Sequence, residues 1–337
     1  MQMIGSLAVR IRFLAAAIAL VMLTCGTRSK AWCASQNLWF SSYSSGVESY
    51  TTGQLKKSGM PTPIQLSTFS DASGLAFDKS HNLWVVVYDG GSEVVQFTPA
   101  QLKNLKNDPS PTPAVVIRST STFSDIIGCN FDPQGNLWVV DYSNDSIDEL
   151  SKAQLAAGSG NVTPAVVITS SDLDEPNFVT FDKAGNAWVD SYRNSKIAEF
   201  SSSQLMGSGS KSATVLLSDD GSGTSLDLPG EIAFDDKDNL WFGNFAAATV
   251  VEYAKDQLTS SGNPAPTVKL SSTIFLTEAP FAAVFDSKGN LVIKNYYNGT
   301  IAKFTPKQLK VSGAPVPKVS VTGAEIYTSQ IIFGAAN

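Results

Sequence analysis

With 337 residues, 43% of them hydrophobic and only 16% charged, the chain can bury a large core. Thirty acidic residues against 24 basic ones give a formal net charge of −6, and no basic patch interleaved with aromatics offsets it, which argues against nucleic acid as a partner. Three cysteines supply no disulfide framework.

The first stretch reads as an export signal. Arg10 and Arg12 precede an apolar run from Phe13 to about Thr24, followed by small residues, the layout of a secretory signal peptide. The run is short for a stable membrane span. Ser29 and Ala31 favour cleavage after Ala31, with Ala34 as the second choice; lipidation at Cys25 fits less well because Thr24 precedes it. The expected organisation is therefore a signal over residues 1–31, a short segment over 32–36 and one folded domain over 37–337. Removal of residues 1–31 takes away four basic side chains and leaves 20 basic against 30 acidic ones. A secreted or periplasmic protein is expected, placed in or beyond a bacterial envelope and monomeric, with no membrane span after cleavage.

From there the chain repeats. A Gln-Leu pair recurs at Gln54, Gln101, Gln154, Gln204, Gln257 and Gln308, at spacings of 47, 53, 50, 53 and 51 residues, a period that with several short strands per unit signals propeller blades. In each unit an apolar strand A ends in Phe-Asp (Phe77, Phe131, Phe181, Phe234, Phe285). A turn follows in which Asp bonds the backbone ahead and Gly takes a positive φ. Strand B then carries Trp39, Trp84, Trp138, Trp188 and Trp241, with Val292 in the sixth copy. Five of the six tryptophans at one repeat position imply a packing role between neighbouring blades. Strand C runs into segments such as TPAQL, where Thr98 or Thr305 can cap and Pro99 or Pro306 can open a short helical turn. Outer strands D are expected near Ile64, Ala114, Ala165, Thr214, Thr267 and Lys318. The recurring Gln reads as a structural bond to a turn backbone, and Cys129 as a small buried hydrophobe.

The first unit lacks strand A, and the C-terminal SQIIFGAAN places Phe333 at the position that unit is missing. The predicted fold is an all-β, six-bladed β-propeller of four-stranded antiparallel blades, its ring closed by the C-terminal strand pairing into blade 1 near Leu38 to Ser42.

The Pro, apolar strand, Asp, Gly-Asn turn and polar turn of Pro176 to Asn194 resemble NHL-type six-bladed propellers, and nearly all of the mature chain follows this pattern. It is also similar to the wider group of regucalcin- and gluconolactonase-like hydrolases and streptogramin B lyases. The lactonase resemblance implies a divalent metal held four residues before the strand A Phe, at Ser73, Ile127, Asn177, Gly230, Phe281 and Ser329; of these only Asn177 has a fitting side chain. Glu231 lies one residue out of register, where strand alternation would turn it to the opposite face. The lyase resemblance implies histidine chemistry, and the single histidine, His81, falls in a hairpin turn.

Chain direction puts the D-to-A loops and the B-to-C turns on one face. That face carries Asp172, Asp174 and Glu175 before blade 4, and Asp219, Asp220, Asp227 and Glu231 before or within blade 5. The blade 5 loop is the longest of its kind, a usual place for added function. It reads either as a solvated acidic loop or as a calcium site formed by Asp219, Asp220, Asp227 and Glu231. Tyr142, Tyr192 and Tyr296 recur, with Tyr43, Tyr88 and Phe245, four positions after the Trp position, either as interblade packing or as an aromatic rim. With Asn177 and Glu231 they are the ligand-face candidates. The leading expectation is a noncatalytic propeller that binds a protein, peptide or glycan on this face without a cofactor; the alternative is a metal-dependent hydrolase or lyase with a divergent central site.

Overall fold

Five aspartates organise the hairpins from which the blades grow. In the computed structural model, which describes residues 36–88, 92–119, 121–271, 279–323 and 328–335, Asp78 Oδ1 accepts the backbone N–H groups of Ser80 and Asn82. Its Oδ2 accepts Asn82 Nδ2 at 2.8 Å and the Trp84 indole N–H at 3.0 Å. Asp132, Asp182 and Asp235 make the same set, with indole distances of 3.2, 3.3 and 3.5 Å. Each of these four carboxylates fixes a turn and orients the Trp that follows it, and Asp286, ahead of Val292, fixes its turn alone. Gly135, Gly185 and Gly289 take the expected positive φ, but His81 and Asp238 adopt it too, at 67° and 65°.

The hairpins assemble into six sheets. Blade 2 uses strands A Ala72–Phe77, B Leu83–Val87, C Glu93–Phe97 and D Val115–Arg118. Blade 5 uses Pro229–Phe234, Leu240–Asn244, Thr249–Tyr253 and Val268–Leu270, and blade 6 uses Pro280–Phe285, Leu291–Asn295, Ile301–Phe304 and Val319–Val321. Blade 1 takes its innermost strand from the C-terminus: Thr328–Ala335 lies beside Gln36–Ser42. There Ser41 Oγ accepts the backbone N–H of Gln330 at 3.0 Å. Gly334 sits against the Phe77 ring, where any Cβ would collide. The ring is thus closed by the C-terminal strand. The predicted signal peptide and Cys33 lie outside the described residues.

Packing follows the tryptophans. Each indole meets the strand A Phe of the next blade edge-on or tilted, as in Trp39 with Phe77 at 6.0 Å and Trp188 with Phe234 at 5.9 Å. Six buried apolar clusters result, each spanning two adjacent blades, the last joining Leu38 and Phe40 of blade 1 to Val292 and Val319 of blade 6. Cys129 is fully buried in one of them, and burial pushes its thiol pKa up.

The Gln of each Gln-Leu pair is a staple. Its Oε1 accepts the N–H at the end of strand C and its Nε2 donates to a carbonyl at the approach to strand D, as in Gln154 with Ser151 N at 2.9 Å and Thr163 O at 2.7 Å. Thr98 and Ser151 complete capping boxes on short helices Pro99–Lys103 and Lys152–Ala157.

Blades 2 and 3 carry a fifth strand, which departs from the four-stranded expectation. Gly160–Asn161 pairs in parallel with strand D of blade 2, and Gly209–Ser210 does the same on blade 3. Single bridges repeat the contact at Gly59 with Val321, Gly262 with Leu217 and Gly313 with Leu270. A Ser precedes each of these glycines, and its Oγ accepts an N–H from the neighbouring blade's outer strand, as Ser208 does from Val167 at 3.0 Å. Every such Ser-Gly pair clasps the blade before it.

Candidate functional site

Strand A of blades 2 to 6 contains a bulge, between Ala72 and Gly74, Ile126 and Cys129, Pro176 and Val179, Pro229 and Ile232, and Pro280 and Ala282. A bulge inserts a residue and resets which face the next side chain meets. Strict alternation therefore misplaces Glu231. Instead of turning away, it reaches across the ring, where its Oε2 accepts the backbone N–H groups of Ala283 in blade 6 at 3.3 Å and of Ile331 in blade 1 at 3.2 Å. Gln330, at the equivalent position in blade 1, accepts from Leu75 N at 2.8 Å and donates to Cys129 O at 3.2 Å. Phe178 holds this position in blade 4, and Gly74, Gly128 and Ala282 hold it in the others. Three large residues, Gln330, Phe178 and Glu231, share the axis with three small ones, which leaves room for the large ones. At Gly128 a Cβ would strike the carbonyl of Asn177, so the inner strands approach as closely as they do because of glycine. At the axis Glu231 and Gln330 are thus paired to backbone groups of other blades, beside the buried Phe178.

Two charged residues that the sequence reading passed over lie beside this plug. Asp190 and Lys294 occupy the same strand B position in blades 4 and 6, with exposures of 0% and 1%. Asp190 accepts the Phe178 N–H at 2.5 Å, and burial raises its pKa well above the usual carboxylate range. Glu231 is shifted in the same direction for the same reason, with Asp190 adding repulsion. Lys294 Nζ stands 5.4 Å from the Phe40 ring centroid. The signal for both was a charge interrupting an apolar strand, in AWVDS and LVIKN.

Above the plug, on the loop-bearing face, aromatic rings converge. Phe281 packs against Phe178 at 5.6 Å, Phe245 at 5.8 Å and Tyr296 at 5.5 Å, while Tyr192 lies 6.0 Å from Phe245 and Tyr297 lies 5.3 Å from Tyr296. Tyr192 and Tyr296, two of the three tyrosine candidates, thus share one cluster with Phe245. Tyr142 stands apart; burial first and then the neighbouring Glu175 push its phenol pKa up, and the Glu175 carboxylate binds Arg193 at 2.7 Å. Asn177 is 91% buried beside Asp190 rather than at the surface. Tyr297 is the most open ring of the cluster, 51% exposed; the four-residue register picked its neighbour instead.

The acidic loop is organised by its own side chains. Asp219 accepts the N–H groups of Gly221, Gly223, Ser225 and Leu226 and the Ser225 hydroxyl, and these donors hold its pKa below the ordinary range. Asp220 accepts from Ser222 N, and Asp227 is anchored through its N–H to Asn244. Glu231 belongs to the channel. These four carboxylates do not fit an oxygen cage for calcium, and among the described residues no three His, Cys, Asp or Glu side chains gather to hold a metal ion.

No protein-family model matches the chain, and no curated protein matches it in sequence. Among solved structures it is similar to the periplasmic gluconolactonase of Pseudomonas aeruginosa, with a TM-score of 0.61 and 13% identity over 90% of this chain and 100% of that one. It is similar to an inactive virginiamycin B lyase from Staphylococcus aureus with quinupristin, with a TM-score of 0.54 and 12% identity over 81% and 82% of the two chains. A chain of a nidogen/laminin complex gives 0.56 and 12% over 90% and 99%. The fold and its closure define a six-bladed β-propeller, and at these identities the likeness is one of fold.

Proposed function

We propose that the protein is an exported, noncatalytic propeller that binds a protein, peptide or glycan on its loop-bearing face. The observation that carries this reading is the ring cluster of Tyr192, Phe245, Phe281, Tyr296 and Tyr297. It packs onto the buried Phe178 through Phe281 and brings the half-exposed Tyr297 to the surface as a contact point. Aromatic rings with polar tips are good anchors for partly wet interfaces, and the Glu175–Arg193 pair borders Tyr192. Export rests on the Arg-flanked apolar run and the small residues at Ser29 and Ala31.

The test is a screen of the mature protein on oligosaccharide and peptide arrays, with a Tyr192→Ala/Tyr297→Ala variant as background. Ligands retained by the wild type and lost by the variant support the reading. Calcium-dependent turnover of a lactone panel that disappears in Asn177→Ala would overturn it in favour of a hydrolase.

A further inference from the structure

On the face opposite the aromatic cluster, a cavity of about 910 Å³ opens between blades 5 and 6. Its walls include Trp241, Phe285, Pro306 and Leu309, and its interior carries Glu252. Glu252 is 94% buried; among the described residues its carboxylate accepts no hydrogen bond and has no cation within ion-pair distance, and Lys237 attracts it only from farther off. Asp235 beside it is occupied by its own hairpin. A buried carboxylate facing another carboxylate is costly unless a cation or donor completes the site.

Glu149 beside Asp132 and Glu199 beside Asp182 hold the same register, so blades 3 to 5 repeat the carboxylate pair, and blade 6 shows which group can complete one. There the residue in the register of Glu252 is Lys303: Glu252 pairs with Trp241 across the strands and Lys303 with Val292. Lys303 Nζ binds Asp286 Oδ2, the counterpart of Asp235, at 2.7 Å. Blade 6 supplies an ammonium to its hairpin aspartate, whereas blade 5 supplies a second carboxylate and an open cavity. The Trp241 indole is 3.5 Å from Asp235 Oδ2, the longest contact of its series, which leaves that oxygen able to accept another donor.

We propose that this interblade cavity binds a primary ammonium carried on a short apolar body, the ammonium taking the place at Glu252 and Asp235 that Lys303 fills at Asp286. The body lies along the cavity wall against Phe285, Pro306 and Leu309, since Trp241 and Phe285 are already packed edge-on at 6.2 Å. Lys237, Lys288 and Lys310 line the same cavity, so a polycation is disfavoured and a single ammonium suits it best.

Burial and the neighbouring Asp235, against the attraction of Lys237, push the Glu252 carboxyl up to about 7. The charged groups around it are Asp235, Asp236 and Lys237 on the blade 5 hairpin, Asp286 and Lys288 on the blade 6 hairpin, and Lys310 on the turn after strand C. Ammonium affinity therefore strengthens as pH rises through neutrality, because only the ionised carboxylate attracts it.

Titration calorimetry of the mature protein with phenethylamine and hexylamine at pH 8, with 2-phenylethanol as neutral control, tests the site. Saturable binding of both amines, absent for the alcohol and weakened at least about tenfold in Glu252→Gln, is expected. Glu252→Lys provides the ammonium internally and should abolish amine binding while raising Tm. Circular dichroism of both variants verifies the fold, and loss of the pH step in Glu252→Gln separates Glu252 from other groups on that face. Failure of either amine to bind at millimolar concentration, or equal affinity in wild type and Glu252→Gln, overturns the proposal. Neither result bears on the loop-bearing face.

Discussion

The outer half of each blade and the centre of the ring obey different rules. Outside, the same bonds recur from blade to blade: Asp to turn and indole, Gln to strand and loop, Ser-Gly to the neighbouring sheet. At the axis the equivalent position carries Gln, Gly, Gly, Phe, Glu and Ala in blades 1 to 6, and Glu231, Gln330 and Phe178 must meet Gly74, Gly128 and Ala282 for the inner strands to close. Repetition secures the periphery through many interchangeable contacts, whereas the centre depends on a few residues with no substitute elsewhere in the ring. Mutations can sharpen or break that contrast.

The largest effect should come from deleting residues 328–337. The deletion removes the inner strand of blade 1, the buried Ile331 and both cross-axis bonds of Gln330. Loss of a buried side chain of this size alone costs about 2–5 kcal/mol against a typical total of roughly 5–15 kcal/mol. The truncated protein should aggregate or melt far lower by calorimetry, and an unchanged Tm would refute closure by the C-terminus. Next comes Glu231→Ala, which leaves the N–H groups of Ala283 and Ile331 without an acceptor at a cost of about 1–3 kcal/mol each. Glu231→Gln keeps an acceptor and should stay within about 1 kcal/mol of wild type in urea melts. A peripheral counterpart, Asp182→Ala, loses four hydrogen bonds in a single repeat. It should cost about 1–3 kcal/mol, because solvent reaches part of that turn. If Asp182→Ala proves more damaging than Glu231→Ala, the contrast between rim and centre fails.

Acidification should separate the two regions as well. Burial raises Glu231 and Asp190, and Asp148 lies at about 7, as Glu252 does. For such groups the folded state binds protons more tightly than the unfolded chain, so stability rises as pH falls from 8 through 7 and levels off near the unfolded values around pH 4. Asp219 and Asp286 are shifted the other way, and what they contribute is lost only below about pH 4. A Tm that increases between pH 8 and 5.5 is expected; a Tm that decreases over this range contradicts the picture of a protonated centre. The smallest effect concerns calcium. Because Asp219 is saturated by its own loop, millimolar calcium should move Tm by less than about 1 °C, below what 0.5 kcal/mol would produce in a domain of this size.

What the sequence revealed follows the same division. Blade number, the hairpin aspartates, the tryptophan position, the Gln staple and the closing strand were legible because each recurs or is conspicuously missing once. The direction of Glu231 was not, since it depends on a bulge that no single residue type announces and that inverts the alternation on which the reading rested. Gln330 sits in an unremarkable SQIIF and matters only because Leu75 and Cys129, distant in sequence, lie opposite it. The Ser-Gly pairs are present in the sequence, but their function emerges only beside the neighbouring blade. Tyr297 was missed because a strict register selects Tyr296.

Those Ser-Gly clasps bear on how the molecule behaves in crowded solution. A short outermost strand would ordinarily leave unpaired amides on which another chain could add a strand. Here Ser58-Gly59 covers part of the outer strand of blade 6, and Ser159-Gly160, Ser208-Gly209, Ser261-Gly262 and Ser312-Gly313 cover part of those of blades 2 to 5. In blade 1, Ser67 N donates to Pro109 O at 2.7 Å in the same role. Among the described residues each of the six sheets thus has part of its outer edge taken by its own chain, which leaves less of that edge for a neighbouring molecule to extend.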